Sequence, residues 1–288
     1  MRDVTDIDLE YLRGWIGRTE ARDDVVTAAP AAALSATLDR DDPSLRPGDP
    51  LPLLWHWLYL VPRHRQSELG VDGHARRGGF LPPVSLPRRM YAGGAVEVHG
   101  SLRIGDAISC VSRIVDVSRK EGRTGVLVFV TVRHDITARG APALTEQQDL
   151  VYRANPSPGD PAPPVQHASR EAAWTREIHP DEVLLFRYSA LTFNGYRPHY
   201  DRRFAADVQG YPGLVVHAPL IATLLADLVR RHLPDAIVSS FTFRAVGALF
   251  DGAPFLVCGT PGADGQSVQL WAQDSSGALA MQATATLR

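Results

Sequence analysis

Lysine is nearly missing from this 288-residue chain: Lys120 is the single one among 30 basic residues, which leaves 29 arginines. With abundant alanine, glycine and proline, that usage matches the coding bias of a GC-rich bacterium and carries no mechanistic meaning. Cysteine is scarce too. Cys110 and Cys258 stand far apart without a Cys-x-x-Cys pair, so neither a disulfide framework nor a cysteine-ligated zinc is expected, and a reducing cytoplasm fits best. No apolar run reaches the ~20 residues a membrane-spanning helix needs. The charged start Met1-Arg2-Asp3-Val4-Thr5-Asp6 lacks the apolar stretch and cleavage site of a signal peptide. A formal net charge of −2 offers no basic field for nucleic acid. GxGxxG, GxxxxGK[ST] and GxSxG are absent, which disfavours dehydrogenase, nucleotide-hydrolase and α/β-hydrolase chemistry. His56, His64, His74 and His99 lack metal-ligand spacing and no HExxH occurs, so no metal is expected.

What is present is an ordinary globular composition, with 44% hydrophobic and 22% charged residues and a mean hydropathy of −0.12. The length suggests two modules, because single cores rarely grow past about 250 residues. Ala154 to Pro164 reads Ala-Asn-Pro-Ser-Pro-Gly-Asp-Pro-Ala-Pro-Pro, a proline density that forbids a continuing helix or central strand. It divides the chain into residues 1–153, a linker over 154–172, and residues 173–288.

Before the linker, Ala107 to Val117 and Val126 to Arg133 form a predicted hairpin turning at Lys120 to Gly125, with Leu144 to Arg153 as a further strand. After it, Leu220, Leu224 and Leu228, with Ile221, Leu225 and Val229 on the adjoining row, predict a helix from Ala218 to Leu233 buried on nearly all sides. Strands are expected near 237–244, 254–259, 267–273 and 279–287. In the first half, the apolar run Leu51 to Leu60 is the candidate for an equivalent helix, and Trp55 and Trp57 read as core. The pairs Gly78-Gly79 and Gly93-Gly94 read as turns or bulges. A buried helix wrapped by an antiparallel sheet, occurring twice, is an α+β tandem hot-dog fold.

The most informative segment is Leu191-Thr192-Phe193-Asn194-Gly195-Tyr196-Arg197-Pro198-His199-Tyr200-Asp201, followed by Tyr211-Pro212-Gly213-Leu214-Val215-Val216-His217-Ala218 and the long helix. Gly195 and Pro198 make it a loop that presents side chains. This pattern resembles the MaoC-like hydratases and dehydratases, whose signature runs Asp-x-Asn-Pro-x-His-x-Asp and later His-Gly. Asn194 falls on that family's catalytic Asp, His199 on its His, Asp201 on the following Asp, and His217-Ala218 on His-Gly. Asn194, Tyr196-Arg197 and Ala218 depart from it. An Asn-x-x-Arg-x-His version is closer: the type 2 3-hydroxyacyl-thioester dehydratases and the mesaconyl-C4-CoA or itaconyl-CoA hydratases. Trp55-His56-Trp57, Gly78 to Pro83 and Pro87 to Gly94 look like this subgroup too, in which a degenerate first hot dog widens the substrate pocket and a second carries the catalytic loop.

The resemblance implies reversible hydration of an enoyl-CoA thioester, possible pairing into a homodimer or higher oligomer, and no cofactor beyond the coenzyme A of the substrate. His199 is the candidate acid and base, since imidazole titrates near neutrality, and Asn194 is the candidate that positions water, since an amide carries no titratable proton. Gly213, His217 and Ala218, at the start of the long helix, form the candidate oxyanion site. His217 is also readable as a helix cap or the filling of a polar niche, and Asn194 as a turn residue. Arg197 is a candidate for a substrate carboxylate or an ion pair with Asp201; Arg88 and Arg89 are candidates for coenzyme A phosphates or a solvated pair. Two rivals stand beside the hydratase: a thioesterase, for which the helix offers only Asp227, and a non-catalytic acyl-CoA-binding protein.

Overall fold

The computed structural model describes residues 7–122, 125–155, 164–168 and 171–288. The tip of the first hairpin and most of the proline-rich linker lie outside them. Strands β1 (Thr19–Val25), β2 (Arg88–Val98), β3 (Ala107–Gly122), β4 (Gly125–Ala138) and β5 (Ala141–Arg153) come from the first half. Strands β6 (Trp174–Ile178), β7 (Val238–Ala245), β8 (Phe255–Pro261), β9 (Ser267–Asp274) and β10 (Leu279–Leu287) come from the second. Together they form one antiparallel sheet in the order β1-β3-β4-β5-β2-β7-β10-β9-β8-β6. The two halves therefore join edge to edge, with Gly93 opposite Arg244 through Glu97 opposite Ser240. Each expected strand is present, within a few residues of its expected ends.

Close backbone approach explains the glycines at this seam. The β2/β5 register slips between Tyr91 and Gly93, the expected bulge. A Cβ on Gly93 would stand 2.5 Å from the Phe243 carbonyl oxygen, and one on Gly94 2.6 Å from that of Gln147.

The helix α4 (Ala218–His232) buries Leu220 through Val229 and lies across β6, β8, β9 and β10, as its periodicity predicts. Only its last turn, Arg230-Arg231-His232, is basic, which suits the negative end of the helix dipole. The helix of the first half is a different segment from the one expected. Leu51 to Leu60 is not helical beyond a 3₁₀ turn at Trp55–Leu58, entered through Leu54 at φ +66°. Its apolarity reflects burial, and Pro52 with the left-handed Leu54 breaks any longer helix. After the short α1 (Leu9–Arg13), the helix of this half is α2 (Ala28–Thr37), which packs on α3 (Glu182–Leu191) and on the 3₁₀ turn. Its Ala31 and Leu34 enter one continuous core with Leu220, Leu224 and Leu228 of α4. A second core under β3, β4 and β5 holds Ile114, Val128, Val130 and Tyr152.

A buried ion cluster ties the two halves together behind this core. Asp227 of α4 accepts from Arg40 at 2.7 Å, Arg231 at 2.7 Å and Arg176 at 3.3 Å. Arg176 and Arg231 also donate to the Leu38 carbonyl at the end of α2. A carboxylate so enclosed is structural.

Candidate active site

The loop after α3 is shaped by its own side chains. Asn194 Oδ1 accepts from the Tyr196 amide at 3.0 Å, and the Asn194 amide donates to the Ser189 carbonyl. That Asx turn spends the carbonyl end of the side chain and leaves the Nδ2 donor to the cavity that Asn194 lines. Turn and functional readings of Asn194 thus coexist. The chain then passes through a 3₁₀ turn, Arg197–His199.

His199 is 8% exposed. Its Nδ1 lies 2.7 Å from the Val215 carbonyl, an acceptor that requires Nδ1 to carry the proton and leaves Nε2 as a lone pair. Burial pushes its pKa down to about 4, against a smaller raising effect of the Val215 carbonyl, so the ring is neutral near pH 7. His217 stacks on it with ring centroids 3.6 Å apart. The His217 side chain makes no capping bond to α4; its Nε2 pairs with Ser189 Oγ at 2.8 Å, while Nδ1 is buried without a partner. Of the two structural readings of His217, the polar niche is the one observed.

His199 and Asn194 line a cavity of about 2210 Å³ that spans both halves of the chain. Ala218, at the first position of α4, lines it as well, with Pro219 next. Proline has no amide hydrogen, so the Ala218 N–H is the donor this helix end can turn toward a ligand. Gly213 does not belong with them. It packs against Asp251 away from the cavity, and the amides that follow it are spent: Leu214 on Asp251, Val215 on Pro198 and Val216 on Leu249.

The three candidate arginines separate. Arg197 donates from Nε and Nη2 to Asp201, at 3.0 and 2.7 Å, and from Nη1 to the Val71 carbonyl. Its fork is occupied, and the ion-pair reading holds. Arg88 is buried in the cavity wall, bonded through Nε to Asn155 and through Nη2 to the Gln209 carbonyl, and stacked over Tyr211; it is not a solvated residue. Arg89 lines the cavity.

Two groups from the first half were given no role by the sequence. Asp72, Gly73 and His74 form a tight turn that clamps the catalytic loop: the Arg197 amide donates to the Asp72 carbonyl at 2.9 Å, and the His74 ring stacks on Tyr196 at 4.2 Å. A Cβ on Gly73, at φ +87°, would fall 1.8 Å from the Gly195 carbonyl oxygen, so only glycine fits. Elsewhere on the wall, buried Glu146 accepts from His56, Trp57 and Tyr91 at 2.9 to 3.1 Å. Burial alone would raise its pKa; the bond from His56 leads the effects that hold it at about 2. Trp57 thus belongs to the cavity, while Trp55 is core as expected. Both groups are contributed by residues some 50 to 125 positions from their partners, and the local signals are the Asp-Gly-His turn and the Trp55-His56-Trp57 run.

A family model, hydroxyacyl-thioester dehydratase type 2, matches residues 54–251. The chain belongs to this family. It is 46% identical over 276 residues to a mesaconyl-C(4)-CoA hydratase of Chloroflexus aurantiacus, covering 95% of this chain and 96% of that protein. It is 24% identical to a mitochondrial type 2 hydroxyacyl-thioester dehydratase of Schizosaccharomyces pombe, over 77% of this chain and 80% of that one. Among solved structures, a MaoC-like dehydratase superposes with a TM-score of 0.70 at 14% identity, covering 96% and 99% of the two chains. A Mycobacterium tuberculosis protein described as a double hot dog gives 0.58 at 15% identity, covering 95% and 96%. These superpositions establish the tandem hot-dog fold. The chain is accordingly a hydro-lyase of the acyl-thioester class. Among the described residues no helix is long and apolar enough to cross a membrane.

Proposed function

We propose that this protein adds water reversibly across the double bond of a short dicarboxylic enoyl-CoA, of the mesaconyl-C4-CoA or itaconyl-CoA kind. The observation that carries the reaction is the 2.7 Å contact between His199 Nδ1 and the Val215 carbonyl, which fixes the tautomer and leaves Nε2 as the free acceptor of a ring that lines the cavity. The acyl group is supported by the 46% identity to the Chloroflexus hydratase over nearly the whole of both chains.

Asn194 Nδ2 donates to a water, and His199 Nε2 removes a proton from it as its oxygen bonds to the β-carbon. The π electrons pass to the thioester oxygen, which gains negative charge beside the Ala218 N–H and the positive end of α4. The imidazolium then returns the same proton to the α-carbon, the enolate collapses, and the two elements of water sit on one face. The reverse sequence dehydrates a 3-hydroxyacyl thioester. No cofactor or metal is called upon. A reducing compartment such as the cytoplasm suits the two buried free thiols, and pairing into a homo-oligomer is part of this reading.

The thioesterase rival requires a carboxylate facing the thioester, and Asp227 is instead enclosed by Arg40, Arg176 and Arg231. The test is mass spectrometry of crotonyl-, itaconyl- and mesaconyl-CoA incubated with the protein and with His199→Ala. A gain of one water that vanishes in the variant is expected. Release of free coenzyme A would instead establish thioester hydrolysis, and intact thioesters would overturn the reading in favour of a binding protein.

A further inference from the structure

We infer that Arg89 forms a separate anion subsite of the cavity, taking a carboxylate or phosphate group of the substrate; the inference rests on the hydratase reading above. The arginines around the cavity are mostly consumed. Arg22, Arg76, Arg77, Arg88, Arg197 and Arg244 each donate to a carbonyl or carboxyl-type oxygen of the chain. Half-buried Arg89, on β2, lines the same cavity and makes no ion pair with any described residue; its hydrogen-bonding neighbour is the neutral Tyr152 hydroxyl.

Its neighbours are arranged for an anion as well. Arg89 stands opposite Tyr152 in the β2/β5 register, which puts both side chains on one face of the sheet. The Tyr152 hydroxyl is fully buried and has no partner among the described residues other than the Arg89 guanidinium beside it, so it leaves the arginine's charge uncompensated. The carboxylate that feels Arg89, Asp72, is engaged by its own turn: its Oδ1 accepts from the His74 amide at 3.1 Å and its Oδ2 lies 3.3 Å from His74 Nδ1. It feels Arg89 only as a distant charge, beyond ion-pair reach, and His74 feels the same charge. Arg89 is thus a cation in a partly dry cleft whose counter-ion is not supplied by the described residues. An uncompensated charge there is costly unless a ligand pairs with it.

Two parts of the proposed substrate carry that chemistry: the free carboxylate of the acyl group and the phosphates of coenzyme A. Steady-state kinetics of Arg89→Gln against the parent protein distinguish them with four thioesters: mesaconyl and crotonyl groups, each on coenzyme A and on phosphate-free pantetheine. If the acyl carboxylate is bound, KM rises about 10- to 100-fold for both mesaconyl thioesters and stays unchanged for both crotonyl ones. If a phosphate is bound, the same rise affects both coenzyme A thioesters and spares both pantetheine ones. An equal change in all four, including crotonyl-pantetheine with no anion to bind, or no change in any, overturns the subsite. Failure of the parent protein to hydrate any of the four overturns the hydratase reading alone. The subsite is then read by calorimetric titration with mesaconyl-CoA, where Arg89→Gln must weaken binding by the same factor or the inference falls.

Discussion

His199 and His217 lie face to face, their ring centroids 3.6 Å apart and their planes inclined by 20°. Two imidazoles so close in a buried site cannot both be charged. Burial pushes the His217 pKa well below its ordinary value, and the His199 ring pushes it further the same way. The pair stays neutral at pH 7, with one ring fixed by Val215 and the other by Ser189.

That neutrality ties folding to pH. His199 and His74 have folded-state pKa values pushed down to about 4 and about 3, mainly by burial, and His217 is also lowered. Near pH 5 the unfolded chain therefore binds protons at these positions and the folded chain does not, so stability falls as pH drops below about 6.5. Each ring contributes on the order of 1 kcal/mol per pH unit within that window. Denaturant unfolding at pH 7.5 and pH 5.5 should show the loss, and a smaller loss in His217→Gln. A midpoint that does not move between the two pH values would contradict the neutral pair.

Removing the catalytic imidazole in His199→Ala should lower hydration by about 10²- to 10⁴-fold, the usual range for a positioned acid–base group. Because His199 carries a proton only below about pH 4, kcat/KM of the parent should stay level from pH 7 down to pH 5. A steep decline centred near pH 6.5 would mean that the ring titrates as if in water.

Asn194 holds its loop through Oδ1 and offers Nδ2 to the cavity. Asn194→Asp keeps the bond to the Tyr196 amide and loses the donor; Asn194→Ala loses both. Both should depress kcat, and only Asn194→Ala should lower stability as well, by about 1 kcal/mol. Melting curves measured beside the rates separate the two effects.

Gly73→Ala should be the most damaging small change outside the catalytic loop. The added methyl meets the Gly195 carbonyl at a backbone angle that L-residues avoid, so the Asp72–His74 turn must lift off Tyr196 and Arg197. The cost in stability should be about 1–3 kcal/mol. The misplaced loop should lose on the order of 10²-fold in rate. An unaltered kcat would show that the contact is incidental.

Asp227→Ala should act oppositely, destabilising by about 3–5 kcal/mol because three arginines lose their shared anion, with kcat of the folded fraction preserved. A catalytic carboxylate would give loss of rate with little loss of stability.

Much of this was legible in the sequence where periodicity or spacing is local. The leucine rows at three and four residues marked α4, alternation marked β3 and β4, and the ordered run from Asn194 to Ala218 marked the catalytic loop and helix start. What escaped was whatever depends on distant partners. Ala28–Thr37 is a ten-residue alanine-rich helix with Pro30 in its first turn, too short and too weakly periodic to outrank the oilier Leu51–Leu60. For Arg197 the spacing offers Asp201 as a partner without deciding for it, and Arg88 and Arg89 are indistinguishable in one dimension, since only the fold brings Gln209 to Arg88. Glu146 with His56, and His74 with Tyr196, meet across 90 and 122 positions of chain.

The seam between β2 and β7 means that the two halves of the cavity are encoded separately. In an assembly of identical halves, every substitution that reshaped one wall would be copied into its twin, and a residue could not be polar on one side and catalytic on the other. Here Glu146 and His56 could be altered without touching His199, and the loop around Asn194 without touching its opposite wall. One polypeptide can therefore refit the acyl chamber while leaving its chemistry in place.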